Sequence, residues 1–322
     1  MINDSLNKVL SRRSINLDIS YRCTLNCKGC MRHCYKELGL KIPGGDLSLE
    51  NFKMILDWFD YINFCGQISD PVMHPKFIEF LKLVKIQNKQ AIIHTAVSHK
   101  PISWYEKAFE ANKPEYEWFF ALDGLPNESH QYRTNQNGEK LFEIMKFAVS
   151  KNVKVIWQYI VFDYNENHTE EAKQIANDNG MIFLEMHTSR WNSVANKYKP
   201  SKKFVDITSS STLEPKCILE EKDLGHSTQG YLLPCCWCEP SNVATSSKNK
   251  KNMEEVDFLF QEKLKLDNIN CIEDIILSDE WLSFFNTLIN DPDNAPGVCK
   301  RYCKEADHRH RKIFSTPMKK ND

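Results

Sequence analysis

The chain has 322 residues, 41% of them hydrophobic and 26% charged, a balance that suits a globular protein with a large core. A formal net charge of -1 argues against a general nucleic-acid surface, and no apolar run approaches the roughly 20 residues that span a bilayer. The stretch from Met1 to Arg13 is polar and lacks the apolar core of a secretion signal, so the expected location is the cytoplasm. Thiols stay reduced there, and 12 cysteines point to metal or cluster ligation more than to disulfides.

In chain order, Ile15-Asn16-Leu17-Asp18-Ile19-Ser20 alternates as a strand does. Directly after it come Cys23, Cys27 and Cys30, separated by three and then two residues. One loop can wrap such thiols around a single soft centre. A zinc site would want a fourth ligand, and three close cysteines without an obvious fourth point to a cluster with one open iron. Cys34 extends the series and reads as a packed thiol.

Ser48 is placed to cap a helix whose apolar stripe is Phe52, Ile55, Leu56 and Phe59. Tyr61 to Cys65 then reads as a second strand. The pattern repeats: a helix carrying Phe77, Phe80, Leu81 and Val84, and a strand from Ala91 to Thr95. A shorter helix near Ser103 to Ala111 leads to a strand from Trp118 to Leu122. The stripe Leu141, Ile144, Met145 and Ala148 precedes a long strand from Val153 to Phe162. A helix from about Thr169 ends at Gly180 as its C′ residue, and Met181 to Glu185 is the sixth strand. Strands alternating with helices imply parallel βαβ units, doubly wound or curved into a partial barrel, and periodicity does not choose between them. In either fold ligands gather at the carboxyl ends of the strands, where the three cysteines fall.

Composition shifts near Trp191, and residues 192–216 read as a linker rich in Lys, Ser, Asn and Thr. Cysteines return at Cys217, Cys235, Cys236, Cys238, Cys271, Cys299 and Cys303. Trp281, Phe284, Phe285 and Leu288 mark a late helix, and Cys271 reads as a buried thiol.

The cysteine triad on the loop after a first strand resembles the signature of the radical S-adenosylmethionine (SAM) superfamily. The resemblance implies a partial (β/α)6 barrel over residues 1–191 and a four-iron, four-sulfur cluster held by Cys23, Cys27 and Cys30, with SAM on the open iron. One departure is Gly29, where the family often has an aromatic residue before the third cysteine. The loop Gly66 to Pro75 resembles a degenerate copy of the family's Gly-Gly-Glu-Pro segment, which would put Ser69 and Asp70 near SAM's amino group. Thr95, Asp123, Arg133 and Asn165 stand where the family places further cofactor contacts, as more loosely do Ser98, Gln158 and Tyr159. Ala121 replaces the usual serine before the Asp-Gly pair.

The spacing Cys217, twelve residues, Gly230, four residues, Cys235 resembles the opening of the SPASM/Twitch extension. This implies a small cysteine-rich α+β domain over 217–322 with a second, auxiliary 4Fe-4S cluster on Cys217, Cys235, Cys299 and Cys303. Cys236 and Cys238 are credible substitutes. A full SPASM run would want a thiol where Asp293 stands, so the one-cluster Twitch form is expected.

The activity implied is reductive cleavage of SAM to a 5′-deoxyadenosyl radical that takes a hydrogen atom from a small-molecule or peptide substrate. A flavodoxin- or ferredoxin-type protein would supply the electron. No peptide-recognition domain precedes residue 15, an argument against a maturase of ribosomal peptides. Aromatic residues at strand ends (Phe64, Phe120, Trp157, Phe162) are expected to shield the radical. Glu185, His187 and Arg190 are expected at the pocket mouth as substrate contacts. The alternative is a non-catalytic iron–sulfur or zinc-binding protein, favoured by the Ser69-Asp70 and Ala121 departures.

Overall fold

Apolar residues at every second position commit each strand to one buried face. The computed structural model describes residues 4–188, 191, 195–201, 212–220, 222–244, 246–303 and 311–314. Strands β1 (Ser14–Leu17), β2 (Tyr61–Phe64), β3 (Gln90–Thr95), β4 (Glu117–Ala121), β5 (Lys154–Ile160) and β6 (Ile182–Met186) lie side by side in that order, every pair parallel. A doubly wound sheet reverses direction at a switch point, and this order has none. Right-handed crossovers that always step the same way place their helices on one face, the arrangement of a partial barrel.

The helices are α1 (Asp4–Leu10), α2 (Met31–Glu37), α3 (Leu49–Trp58), α4 (Phe77–Ile86), α5 (Ile102–Glu110), α6 (Gly138–Ser150) and α7 (Thr169–Asp178). In the C-terminal third they are α8 (Lys216–Leu219), α9 (Ser247–Glu254), α10 (Glu273–Ile276), α11 (Asp279–Asn290) and α12 (Gly297–Cys303). The expected caps are present. Ser48 Oγ accepts from Asn51 N at 3.0 Å, and Gly180 follows α7 at φ +70°, a conformation glycine adopts without a Cβ penalty.

The helix-side core is aromatic. Phe52 of α3 stacks on Phe80 of α4 with ring centroids 4.1 Å apart, and Phe64 of β2 meets Phe77 edge-on at 5.4 Å. Trp118 of β4 packs on Phe109 of α5 at 5.1 Å, and Trp157 of β5 on Phe142 of α6 at 5.5 Å. Asn16, Asn63, Ile92, His94, Phe119 and Gln158 alternate onto the opposite, partly open face, where His94 and Phe119 stack at 4.4 Å.

Three further strands, β7 (Leu224–His226), β8 (Leu232–Leu233) and β9 (Arg311–Phe314), extend the sheet to nine strands among the described residues. β7 lies parallel to β1 through Ile15↔Leu224 and Leu17↔His226, β8 runs antiparallel to β7, and β9 runs antiparallel to β6. The sheet therefore crosses the position where sequence alone put a boundary. Arg12 also reaches across it, with Nη1 2.6 Å from the Cys217 carbonyl. Most of the expected linker lies outside the described residues.

Some expectations change. β1 ends at Leu17; beyond it Asp18 N still donates to His226 O of β7 at 3.3 Å, while the Asp18 carboxylate accepts from the 67–69 loop. Cys271 is half-exposed, not buried: it sits at the entry to α10, where its N–H donates to Asp274 Oδ2 at 3.2 Å.

Candidate active site and auxiliary cysteine cluster

The loop bearing Cys23, Cys27 and Cys30 leaves the carboxyl end of β1 and runs into α2, with Cys30 at the helix cap. Two neighbouring segments hold it. From the loop after β4, Asn26 N donates to Thr134 O at 3.0 Å, Lys28 N to Tyr132 O at 3.3 Å and Gly29 N to the Tyr132 hydroxyl at 3.1 Å. From α2, Arg32 Nη1 donates to Tyr21 O at 2.6 Å and Ile68 O at 3.0 Å, tying the cysteine loop to the loop after β2. A Cβ on residue 29 would lie 2.2 Å from the Tyr132 oxygen, so the space an aromatic neighbour would fill is taken by Tyr132, itself stacked on Phe162 at 4.1 Å. That explains Gly29.

Burial pushes the Cys27 thiol up to about 11, opposed by the Arg133 guanidinium beside it. Cys23 and Cys30 are raised by burial too, and the three thiols lie within electrostatic range of one another. A metal displaces such protons outright. Three soft donors on one loop, with Arg133 and Arg32 near the thiolates, fit an iron–sulfur cluster. Among the described residues no three His, Cys, Asp or Glu side chains are grouped to hold a single metal ion.

The expected cofactor residues gather at the same end of the sheet, but much of their bonding capacity serves the protein. Asp70 is 5% exposed and accepts from Thr95 Oγ1 at 2.9 Å, Ala96 N at 2.8 Å and Val72 N at 3.2 Å. Ser69 donates to Asp18, whose other oxygen accepts from Gln67 N at 2.7 Å and Ile68 N at 2.8 Å. Asp123 forms a buried ion pair with Arg133, Nε to Oδ2 at 2.6 Å, and accepts from Ile160 N at 2.9 Å. This pair stands beside Cys27. Asn165 turns back on its own loop: Oδ1 accepts from Phe162 N at 2.7 Å and Nδ2 donates to Ile160 O at 3.0 Å. Ser98 Oγ accepts from Asn137 N at 2.9 Å.

The strand register corrects two expectations about the pocket. Glu185 pairs with Tyr159 on the face shared with Trp157 and Phe183, which packs on the helices, so Glu185 looks away from the open face. Its carboxylate lies 2.6 Å from His187 Nε2. Arg190 lies outside the described residues. Phe64, Phe120 and Trp157 likewise belong to the helix-side core, because residues of even spacing on a strand share one face. Of the expected shield only Phe162 lies by the cysteine loop, while Phe119 and His94 line the open face.

Sequence reasoning missed Arg32, Tyr132 and Asp18. An arginine two residues past the third cysteine and a buried aspartate ending a strand were visible signals. Tyr132 had none, since its partner lies 103 residues away.

In the C-terminal third, Cys217 comes from α8, Cys235 and Cys238 from the turn after β8, and Cys299 and Cys303 from one face of α12. Cys299 lies within electrostatic range of Cys217, Cys235 and Cys303. A hydrogen bond from the Cys238 thiol holds Cys235 below its ordinary value, and the Cys217 thiol is raised by burial. Cys236 carries the backbone carbonyl that Gln67 Nε2 reaches at 3.2 Å, which joins this turn to the loop after β2.

No protein-family model and no curated protein matches the chain. Solved structures do. Streptococcus suis SuiB bound to precursor peptide SuiA is 11% identical, with a TM-score of 0.59 over 90% of this chain and 70% of that one. Native anSMEcpe with bound AdoMet is 13% identical, with a TM-score of 0.53 over 84% of this chain and 83% of that one. BtrN in complex with AdoMet and 2-DOIA is 12% identical, with a TM-score of 0.50 over 90% of this chain and 92% of that one. At such identities the likeness is one of architecture, and it agrees with the strand order and the placement of the triad: the chain has the fold of the radical SAM enzymes.

Proposed function

We propose that this protein is a cytoplasmic radical SAM enzyme acting on a peptide or small-molecule substrate, assisted by an auxiliary iron–sulfur cluster. Cys23, Cys27 and Cys30 would hold a 4Fe-4S cluster, whose chemistry would be to pass one electron, delivered by a flavodoxin- or ferredoxin-type donor, for cleavage of SAM to methionine and a 5′-deoxyadenosyl radical able to take a substrate hydrogen. The observation that carries this reading is the triad itself: three thiols within electrostatic range of one another at the carboxyl edge of a parallel sheet ordered one to six.

The chain's own residues position and insulate that site. Arg32 and the 132–134 backbone fix the loop, Asp123 holds the Arg133 guanidinium beside Cys27, and Asp18 shapes the loop that carries Ser69 and Asp70. Asp70 keeps lone-pair capacity for an ammonium beyond its three protein donors. The open face with His94, Phe119 and Gln158 is the substrate side. SuiB, bound to its precursor peptide, and BtrN, with 2-DOIA, support a peptide and a small molecule respectively. Cys217, Cys235, Cys299 and Cys303, or a set drawing on Cys236 or Cys238, would hold the auxiliary 4Fe-4S cluster.

A second reading, an iron–sulfur protein without SAM chemistry, is favoured by the saturation of Ser69, Thr95 and Asn165 within the protein. Anaerobic reconstitution, dithionite reduction and addition of SAM separate the two. Formation of 5′-deoxyadenosine supports the enzyme; intact clusters that never yield it overturn that reading. Iron content of about eight per chain, falling to about four when Cys23, Cys27 and Cys30 become Ala, supports two four-iron clusters.

A further inference from the structure

Four auxiliary ligands follow from a spacing resemblance, yet the folded chain brings five thiols together. The fifth is Cys238, a credible substitute by its place in the sequence. It is 0% exposed, its sulfur lies 3.8 Å from that of Cys235, and it is within electrostatic range of Cys217 and Cys299 as well. A fully buried cysteine is ordinarily a small hydrophobe. One set among three other cysteines has a different neighbourhood.

Local geometry strengthens the point. Cys238 N donates to Cys235 O at 3.0 Å, closing a short 3-10 turn over Cys236–Cys238. Two cysteines separated by two residues on such a turn form a compact chelate, the spacing that many metal loops use. Trp237, between them, stacks on Tyr302 of α12 with centroids 3.8 Å apart and planes 8° apart, locking the turn against the helix that carries Cys299. Cys303 is the last residue of α12, one turn beyond Cys299, and is half-exposed.

We propose that Cys238, in place of Cys303, is the fourth ligand of the auxiliary cluster, with Cys235 and Cys238 as a two-sulfur clamp and Cys217 and Cys299 completing the set. This rests on the auxiliary-cluster reading above. Cys303 is then a half-exposed thiol beside the cluster.

The test uses the full chain with Cys23, Cys27 and Cys30 replaced by Ala, so that any remaining cluster is the auxiliary one. This parent, its Cys238→Ser variant and its Cys303→Ser variant are reconstituted anaerobically with iron and sulfide. The parent and Cys303→Ser should each hold about four irons and give the same reduced EPR spectrum, whereas Cys238→Ser should lose iron or shift its g values. A Cys238→Ser protein matching the parent, or a Cys303→Ser protein that loses its cluster, overturns the proposal.

Iodoacetamide treatment of iron-loaded wild type needs no variant and guards against a misfolded one. An adduct on Cys303 supports the assignment, while protection of Cys303, or a Cys235–Cys238 disulfide in the iron-loaded protein, overturns it. Should the parent bind zinc, or no iron and sulfide at all, the auxiliary-cluster reading itself fails, visibly before any variant is compared.

Discussion

Gly29 shows how one residue reports a distant one. The Tyr132 hydroxyl stands 2.2 Å from where a Cβ would be, and it is bonded to the Gly29 N–H. Gly29→Ala should therefore push Tyr132 off Phe162 and loosen the cysteine loop. Reconstituted iron at the core site should fall from about four toward none, measured against wild type by iron and sulfide assay. Unchanged iron would show that Tyr132 is not holding the loop.

Two buried residues in contact titrate in opposite senses. Burial pushes the Asp18 carboxyl up to about 7, and burial also pushes the His226 imidazole down to about 4, opposed by its hydrogen bond to the Asp18 carbonyl. Between about pH 4 and 6.5 the unfolded chain protonates His226 and the folded chain does not, so the histidine's contribution to stability is present above that window and lost as pH falls through it. Asp18 works the other way, its contribution present at low pH and lost as pH rises toward 7. His226→Gln should remove the first effect, worth about 3 kcal/mol across the window at 1.4 kcal/mol per unit. The gap in unfolding free energy between wild type and variant should then widen from pH 4 to 6.5 in urea titrations. A gap independent of pH would contradict the buried neutral imidazole.

At the scale of elements, α3 and β4 offer separable tests. Ser48 satisfies one N–H at the start of α3, and Ser48→Ala should cost about 1 kcal/mol. Trp118 is 0% exposed and wedged among Tyr105, Phe109, Phe77 and Phe120, so Trp118→Ala should cost about 3–5 kcal/mol through lost contact and cavity. Denaturation midpoints should keep that order. A reversed order would place the weight of the fold at the helix terminus and not in the aromatic layer.

For the whole molecule, the decisive feature is β7 lying against β1. Residues beyond 216 complete the sheet on the side of the strand that leads into the cysteine triad. A chain ending at residue 216 should leave the β1 edge unpaired, with amide exchange at Asn16 and Asp18, whose N–H groups face β7, much faster than in the full chain. Equal protection in both would make the first 216 residues an independent unit.

Local pattern in the sequence by itself determined the series of strands and helices, the caps at Ser48 and Gly180, and the two sets of cysteines, because alternation, capping and ligand spacing are all short-range properties. The choice between a doubly wound sheet and a partial barrel came from strand order, which depends on pairing between distant segments. The same long-range pairing turned Glu185, Phe64 and Phe120 toward the helices, since a strand's register and not its composition decides which face is inside. Tyr132 beside Gly29, and Cys238 near Cys217 and Cys299, are likewise products of tertiary packing. They bring together side chains from separate segments, and nothing periodic in the chain announces such a meeting.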